Sequence, residues 1–182
     1  MYRTPTIYTR RLCLRMFTEE DIIPANENWM SDPDVAEFTT WNAHRNIAET
    51  SFRIRGWIKD YSLGTMDWCI ALRSDNTPIG SISAVQDFPD RGYCEIGYCL
   101  SKDYWNVGIM TEALRAVVQC IFSMTDYNWI QARFDSENEA SGRCMEKAHF
   151  SDYLEFDDLC EKRGTTRHYI LRHVERRDLI SF

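Results

Sequence analysis

The chain has 182 residues, 44% of them hydrophobic and 27% charged, and a formal charge of 21 − 28 = −7. That length suits one domain over residues 1–182 with enough interior for a core, and its acidity argues against a nucleic-acid binder, whose footprint is basic. No apolar run reaches the roughly 18 residues of a membrane span, and "MYRTPTIYTRRLCLR" lacks the apolar stretch of a signal peptide, so a cytoplasmic protein without a membrane partner is expected.

"IYTRRLCLRMF" from Ile7 alternates with period two and predicts a first strand. "TEED", Thr18 to Asp21, reads as a capped helix start with Asp in place of Glu, and Pro24 should shorten or kink that helix. Short and longer helices follow from Ser31 and from Ala48. "DWCIALR" (67–73) and "PIGSISAVQDF" (78–88) predict strands joined by the turn-rich "SDNT". With "RGYCEIGYCL" (91–100) they form an antiparallel meander. From Ile109 to Phe122 apolar residues fall on one helical face. A strand at 128–135, a helix at 138–148 and a final strand at 165–174 complete an α+β order with one strand–helix–strand crossover.

Seven cysteines, scattered without a CxxC pair, read as buried free thiols in a reducing compartment. No metal site is expected: the spacing for zinc is missing, and His168 and His173 are five apart in a strand, on opposite faces.

In "DYWNVGIMTEAL" (103–114) a lone glycine, Gly108, stands at the mouth of a helix. A helix N-terminus offers unpaired N–H groups and about half a positive charge, which suits phosphate. Gly108 permits a tight turn that brings the amides of Val107 to Thr111 near a ligand. Gly97, inside the preceding strand, marks either a bulge that frees backbone groups or a close packing contact.

Taken in order, "EIGYCLSKDYWNVGIMTEALRAVV" and "ARFDSENEASGRCMEKAHF", with "TRRLCLR" and "PIGSIS" before them, resemble the GNAT superfamily of acyl-CoA N-acyltransferases over residues 7 to 173. Within it they resemble the branch of RimJ/RimL-type ribosomal-protein N-terminal acetyltransferases. The resemblance implies a mixed, mostly antiparallel twisted sheet with a splayed central strand pair and helices on both faces. It implies acetyl-CoA as cosubstrate. The pantetheine arm would lie along Ile96, Tyr98 and Leu100, and near Asn138. The pyrophosphate would lie on the amides of Asn106, Val107, Gly108, Ile109, Met110 and Thr111. Against the family's W-G-K-G-x-A/G-T loop, Asn106 replaces glycine, Val107 replaces lysine and Met110 replaces a small residue. Val107 removes a charge, and Met110 crowds the phosphates unless its side chain turns into the core. His149 stands where the family has glycine past a helix, an αL position that would strain it by about 1 kcal/mol.

Acetyl transfer to an amine needs a neutral amine and a protonated leaving thiol. An α-amine with pKa near 7.7–8.0 is neutral roughly one time in ten at pH 7, far more often than a lysine near 10.4, and asks only for a modest base or a water relay. Glu95, beside the expected thioester, is the candidate base; otherwise it is a strand-edge carboxylate. The family's usual tyrosine proton donor aligns with Met145, which cannot donate. Ser141, one helical turn earlier and serine also in the RimJ/RimL-like branch, is the candidate donor; alternatively it bonds back to its own turn. Arg143 and Lys147 are spaced to meet the cosubstrate's phosphates or to form a solvated face. The acceptor pocket, by resemblance, draws on Trp29, Phe38 and Trp41 and on a loop carrying "EFDDLCEKRG" from Glu155, which suits a cationic amine if it is not core and surface.

The function expected is an N-acetyltransferase that moves acetyl from acetyl-CoA to a primary amine, a protein N-terminus or a small molecule, by direct attack. The competing reading is a non-catalytic acyl-CoA-binding or regulatory module. A monomer or a homodimer fits equally.

Overall fold

Alternating apolar residues at Leu12 and Leu14, and a near-continuous buried run from Asp67 to Ala71, build the first strands of an eight-stranded sheet. In the computed structural model, which describes residues 4–181, the strands are β1 (Ile7–Tyr8), β2 (Leu12–Arg15), β3 (Asp67–Leu72), β4 (Pro78–Phe88), β5 (Tyr93–Leu100), β6 (Trp129–Asp135), β7 (Ser151–Cys160) and β8 (Thr165–Glu175). Their spatial order is β1-β2-β3-β4-β5-β6-β8-β7. Every neighbouring pair is antiparallel except β5–β6, which is parallel and joined through a helix, as a crossover requires.

The helices are α1 (Ile22–Ala25, widening into a π-type turn over Asn26–Met30), α2 (Pro33–Ala36), α3 (Ile47–Asp60), α4 (Ile109–Met124) and α5 (Glu139–Lys147). Asp21 accepts from the Thr18 N–H at 2.8 Å, closing the anticipated cap before α1. Pro24 stands in the first turn, where its missing N–H costs no helical bond, so the chain widens after it instead of stopping. Helices cover both faces of the sheet. On one, α4 contributes Ala113, Leu114, Val117, Val118 and Ile121, all fully buried against Trp68, Ile82 and Ile130. On the other, Trp29, Ile54 and Trp57 from α1 and α3 pack on Cys69 and Ala71.

Two elements differ from the sequence expectation. The first strand is a tight hairpin, β1 and β2, with Ile7 opposite Leu14. The acidic segment expected as a loop is strand β7, paired with β8 from Thr165 to His173. The β8 cations make this possible: Arg172 lies opposite and pairs with Asp152, and His168 lies opposite Asp157 and binds it at 2.8 Å.

Candidate active site

The parallel ladder between β5 and β6 lasts three residues, Tyr93–Trp129, Cys94–Ile130 and Glu95–Gln131. Beyond it the strands part, and from Ile96 to Leu100 the β6 side of β5 has no strand partner. The register shift lies in the neighbouring strand, between Ala84 and Gln86 of β4, not at Gly97. Gly97 serves that shift by packing: a Cβ there would stand 3.0 Å from the Val85 side chain at the bulge. At the far end of the fork the Leu100 carbonyl accepts from the Trp105 indole at 2.8 Å, so of the three strand residues named for the cosubstrate, Leu100 has its carbonyl already engaged.

A side-chain clamp takes over where the backbone pairing stops. Glu95 is buried, one carboxylate oxygen accepting from Gln131 Nε2 at 2.9 Å and the other 3.1 Å from Arg133 Nε. Arg133 reaches on to Asp158 of β7 at 3.5 Å. Glu95 is therefore more than the strand-edge carboxylate of the plainer reading, since it ties β5 to β6 at the fork's root. Each of its oxygens still keeps a second lone pair for a further donor.

The loop after β5 ends on Gly108, which caps α4 at φ 77°, in the left-handed region that only glycine enters without cost. Asn106 also holds a positive φ, 60°. Among the described residues nothing accepts from the amides of Gly108, Ile109, Met110 and Thr111, the free donors of a helix start. Met110 is buried in the α4 core and leaves that approach open; Val107 is exposed at its edge. Arg11 brings a guanidinium to the place where Val107 offers none: it donates to the Val107 carbonyl at 2.8 Å while pairing with Glu112 at 2.7 Å. These unpaired amides and this cradle fit a diphosphate.

Helix α5 closes the fork. Asn138 caps it by accepting from the Ser141 N–H at 3.2 Å. Gly142 packs so closely on β6 that a Cβ would meet the Phe134 ring at 2.7 Å. That approach sets Ser141 beside β5, where its Oγ and the Tyr98 hydroxyl are 2.8 Å apart. Burial pushes the Tyr98 hydroxyl far above its ordinary pKa, so it stays a proton carrier at every working pH. The pair of hydroxyls was not foreseen, because Tyr98 and Ser141 lie 43 residues apart in the chain. Met145 is buried in the core and makes no polar contribution. Arg143 pairs with Glu139, whereas Lys147 has no ion partner among the described residues.

Fork, loop and helix open into one cleft of about 1180 Å³, whose lining includes Glu95, Tyr98, Gly108, Thr111, Asn138 and Ser141. Its other end is walled by Phe38, Trp41, His44, Arg53 and Trp57. Trp29, expected there, lies fully buried in the core between α1 and the sheet. Burial holds the His44 imidazole below its ordinary pKa against the opposing charge of Glu49, with a smaller push in the same direction from Arg53. Nδ1 of His44 is 2.8 Å from the Thr50 hydroxyl.

The chain matches the family model of the acetyltransferase (GNAT) domain over residues 11–151. It is 27% identical over 166 residues to the uncharacterized N-acetyltransferase p20 of Bacillus licheniformis, covering 90% of this chain and 86% of that protein. In fold it is similar to a GNAT-family acetyltransferase of Bacillus anthracis, with a TM-score of 0.82 at 22% identity over 94% of this chain and 98% of the other. It is similar also to the ribosomal L7/L12 alpha-N-protein acetyltransferase RimL in complex with coenzyme A, with a TM-score of 0.83 at 19% identity over 94% and 98%.

Proposed function

Because the chain belongs to the GNAT acetyltransferase family, whose members act on acetyl-CoA, we propose that the cleft transfers acetyl to a primary amine by direct attack, with Glu95 as base and Ser141 as proton donor to the leaving sulfur. The chain works as one domain over residues 1–182, in the cytoplasm, as a monomer or homodimer. The observation that carries this reading is the meeting of the β5–β6 fork, the free amides at Gly108 and the Ser141 hydroxyl in a single cleft.

Acetyl-CoA supplies an activated acetyl thioester, and everything else falls to the chain's own groups. The open side of β5, at Ile96, Tyr98 and Leu100, together with Asn138, holds the pantetheine arm by main-chain and amide hydrogen bonds. The amides from Asn106 to Thr111 hold the pyrophosphate at the positive end of α4, with Lys147 supplying the free cation nearby. Glu95, fixed by Gln131 and Arg133, takes a proton from the amine directly or through one water. An α-amine is neutral often enough at pH 7 to need no stronger base, and a protein N-terminus or a small amine meets that condition. Ser141 passes its proton to the departing sulfur and regains one from cleft water, so no alkoxide is left. A thiolate whose acid has a pKa near 8.5 is already a good leaving group and asks little of so weak an acid. The Tyr98 hydroxyl, 2.8 Å away, donates to Ser141 Oγ and so leaves the serine hydrogen free to point outward.

Steady-state kinetics of Ser141→Ala test this. A loss of roughly a hundredfold in kcat, the low end for a general acid, with KM for acetyl-CoA within about twofold, is expected. Undiminished kcat overturns the assignment, and acetyl-CoA binding without transfer to any amine of a broad panel points to the non-catalytic module instead.

A further inference from the structure

Every carboxylate that lines the cleft already has a cation within ion-pair distance. On the acceptor side, Glu37 has Arg163, Glu95 has Arg133 at 3.1 Å and Glu137 has Arg167 at 2.6 Å. A second positive charge on an incoming amine finds no free partner there. The lining cations divide differently. Lys147 and Arg53 have no carboxylate partner among the described residues, and Lys147 lies at the Gly108 end, where phosphates are expected.

Arg53 stands at the opposite end. Its guanidinium lies over the face of Trp57, 4.5 Å from the ring centroid. None of its N–H groups has a hydrogen-bond acceptor among the described residues, and the N–H edge of a guanidinium matches a carboxylate or a phosphate. The floor beneath is polar: Ser81 and Ser83 of β4 line the same cleft, with Ser81 Oγ 3.3 Å from Cys99 Sγ. Arg53 is exposed at the cleft, which it lines together with His44, Ser81, Ser83 and Cys99.

We propose that the cleft selects a primary amine that carries its own anionic group, a carboxylate or a phosphate, bound by Arg53 against the face of Trp57. This rests on the acetyl-transfer reading and names its acceptor class. It reverses the expectation of a cationic acceptor: a polyamine would set a second ammonium against Arg53 with no carboxylate to receive it.

The test uses matched acceptors on the whole protein: β-alanine against β-alaninamide, phosphoethanolamine against ethanolamine, and spermidine. Two readouts are taken, kcat/KM for acetylation and the shift of the Trp57 indole N–H resonance on titration, assigned with Trp57→Phe. The anionic member of at least one pair should exceed its neutral partner by about tenfold or more in kcat/KM, and should move the indole resonance where the neutral amine and spermidine do not. The pair that responds identifies the source of the anion. Arg53→Gln should bring the ratio close to one, and Arg53→Lys should keep part of it. Equal rates for neutral or polycationic amines, or an unchanged preference in Arg53→Gln, overturns the anion subsite and leaves the transfer reading standing. Resonance shifts without acetylation of any amine do the reverse, and neither response overturns both.

Discussion

His149 ends α5 at φ 65°, its N–H bonded to the Glu146 carbonyl at 2.9 Å and the next N–H, of Phe150, to the Met145 carbonyl at 3.0 Å. This is the helix stop that glycine usually makes, and a side chain there costs about 1 kcal/mol. His149→Gly should therefore raise the melting temperature by roughly 2–4 °C; calorimetry showing no rise would remove the strain argument. The same scale holds the most demanding test of the hydroxyl pair. Tyr98→Phe should lower kcat by about tenfold, and adding it to Ser141→Ala should cost little more, since residues in one hydrogen-bond chain are not additive. Additive losses in the double-mutant cycle would separate the two residues. Much at this scale was legible in sequence: Gly108, Asn106 and His149 all take the positive φ that their positions suggested. Whether the Met110 side chain would crowd the phosphates was not, because it begins the apolar face of α4 at the very turn where the phosphates are expected. Nor were the partners of Glu95, which arrive from β6 only once the sheet has formed.

At the scale of elements, the site depends on how closely α5 approaches β6. Gly142→Ala puts a methyl group where the Phe134 ring lies, 2.7 Å away, and the helix must move. A loss of roughly 1–3 kcal/mol in stability is expected from such overpacking, with a fall in kcat as Ser141 withdraws from Tyr98; denaturant unfolding and kinetics on one preparation would show both, and a variant as stable and as active as its parent would contradict the packing account. A helix with clear periodicity, such as α4, and a short apolar run followed by turn residues, such as β3, were readable from the chain. Strand β7 was hidden because Asp152, Glu155, Asp157 and Asp158 are poor strand formers. Their counterparts, Arg172 and His168, sit on β8 in reversed order, and only the pairing makes the acidic segment a strand. The β5–β6 fork was legible through the family resemblance; of the two readings open for Gly97, close packing holds, and the bulge lies one strand earlier, in β4.

For the molecule as a whole, the β7–β8 hairpin carries a titratable latch. The hydrogen bond that His168 donates to Asp157, helped by Glu155, raises the His168 pKa above its ordinary value. A raised folded-state pKa means that the contribution is complete below about pH 6.5, the value of a free histidine, and fades as pH climbs through the folded value. Amide hydrogen exchange, corrected for its intrinsic pH dependence, should show the hairpin opening more readily at pH 9 than at pH 6, and His168→Gln should abolish that difference. A hairpin with the same pH response in the variant would place the latch elsewhere. Saturation with acetyl-CoA stabilises the whole by mass action, about 2.7 kcal/mol at a hundred times the dissociation constant.

The parting of β5 from β6 gives this protein a raw margin in the middle of its sheet, where most folds keep theirs at the rim. Unsatisfied margins recruit stray polypeptide, and proteins normally shield them with bulges, charges or a covering segment. In the binding mode proposed above, the shield is a metabolite that comes and goes. Starving a cell of coenzyme would then strip away a structural cover along with a reactant, so the lifetime of this protein against misassembly should follow the metabolic state around it.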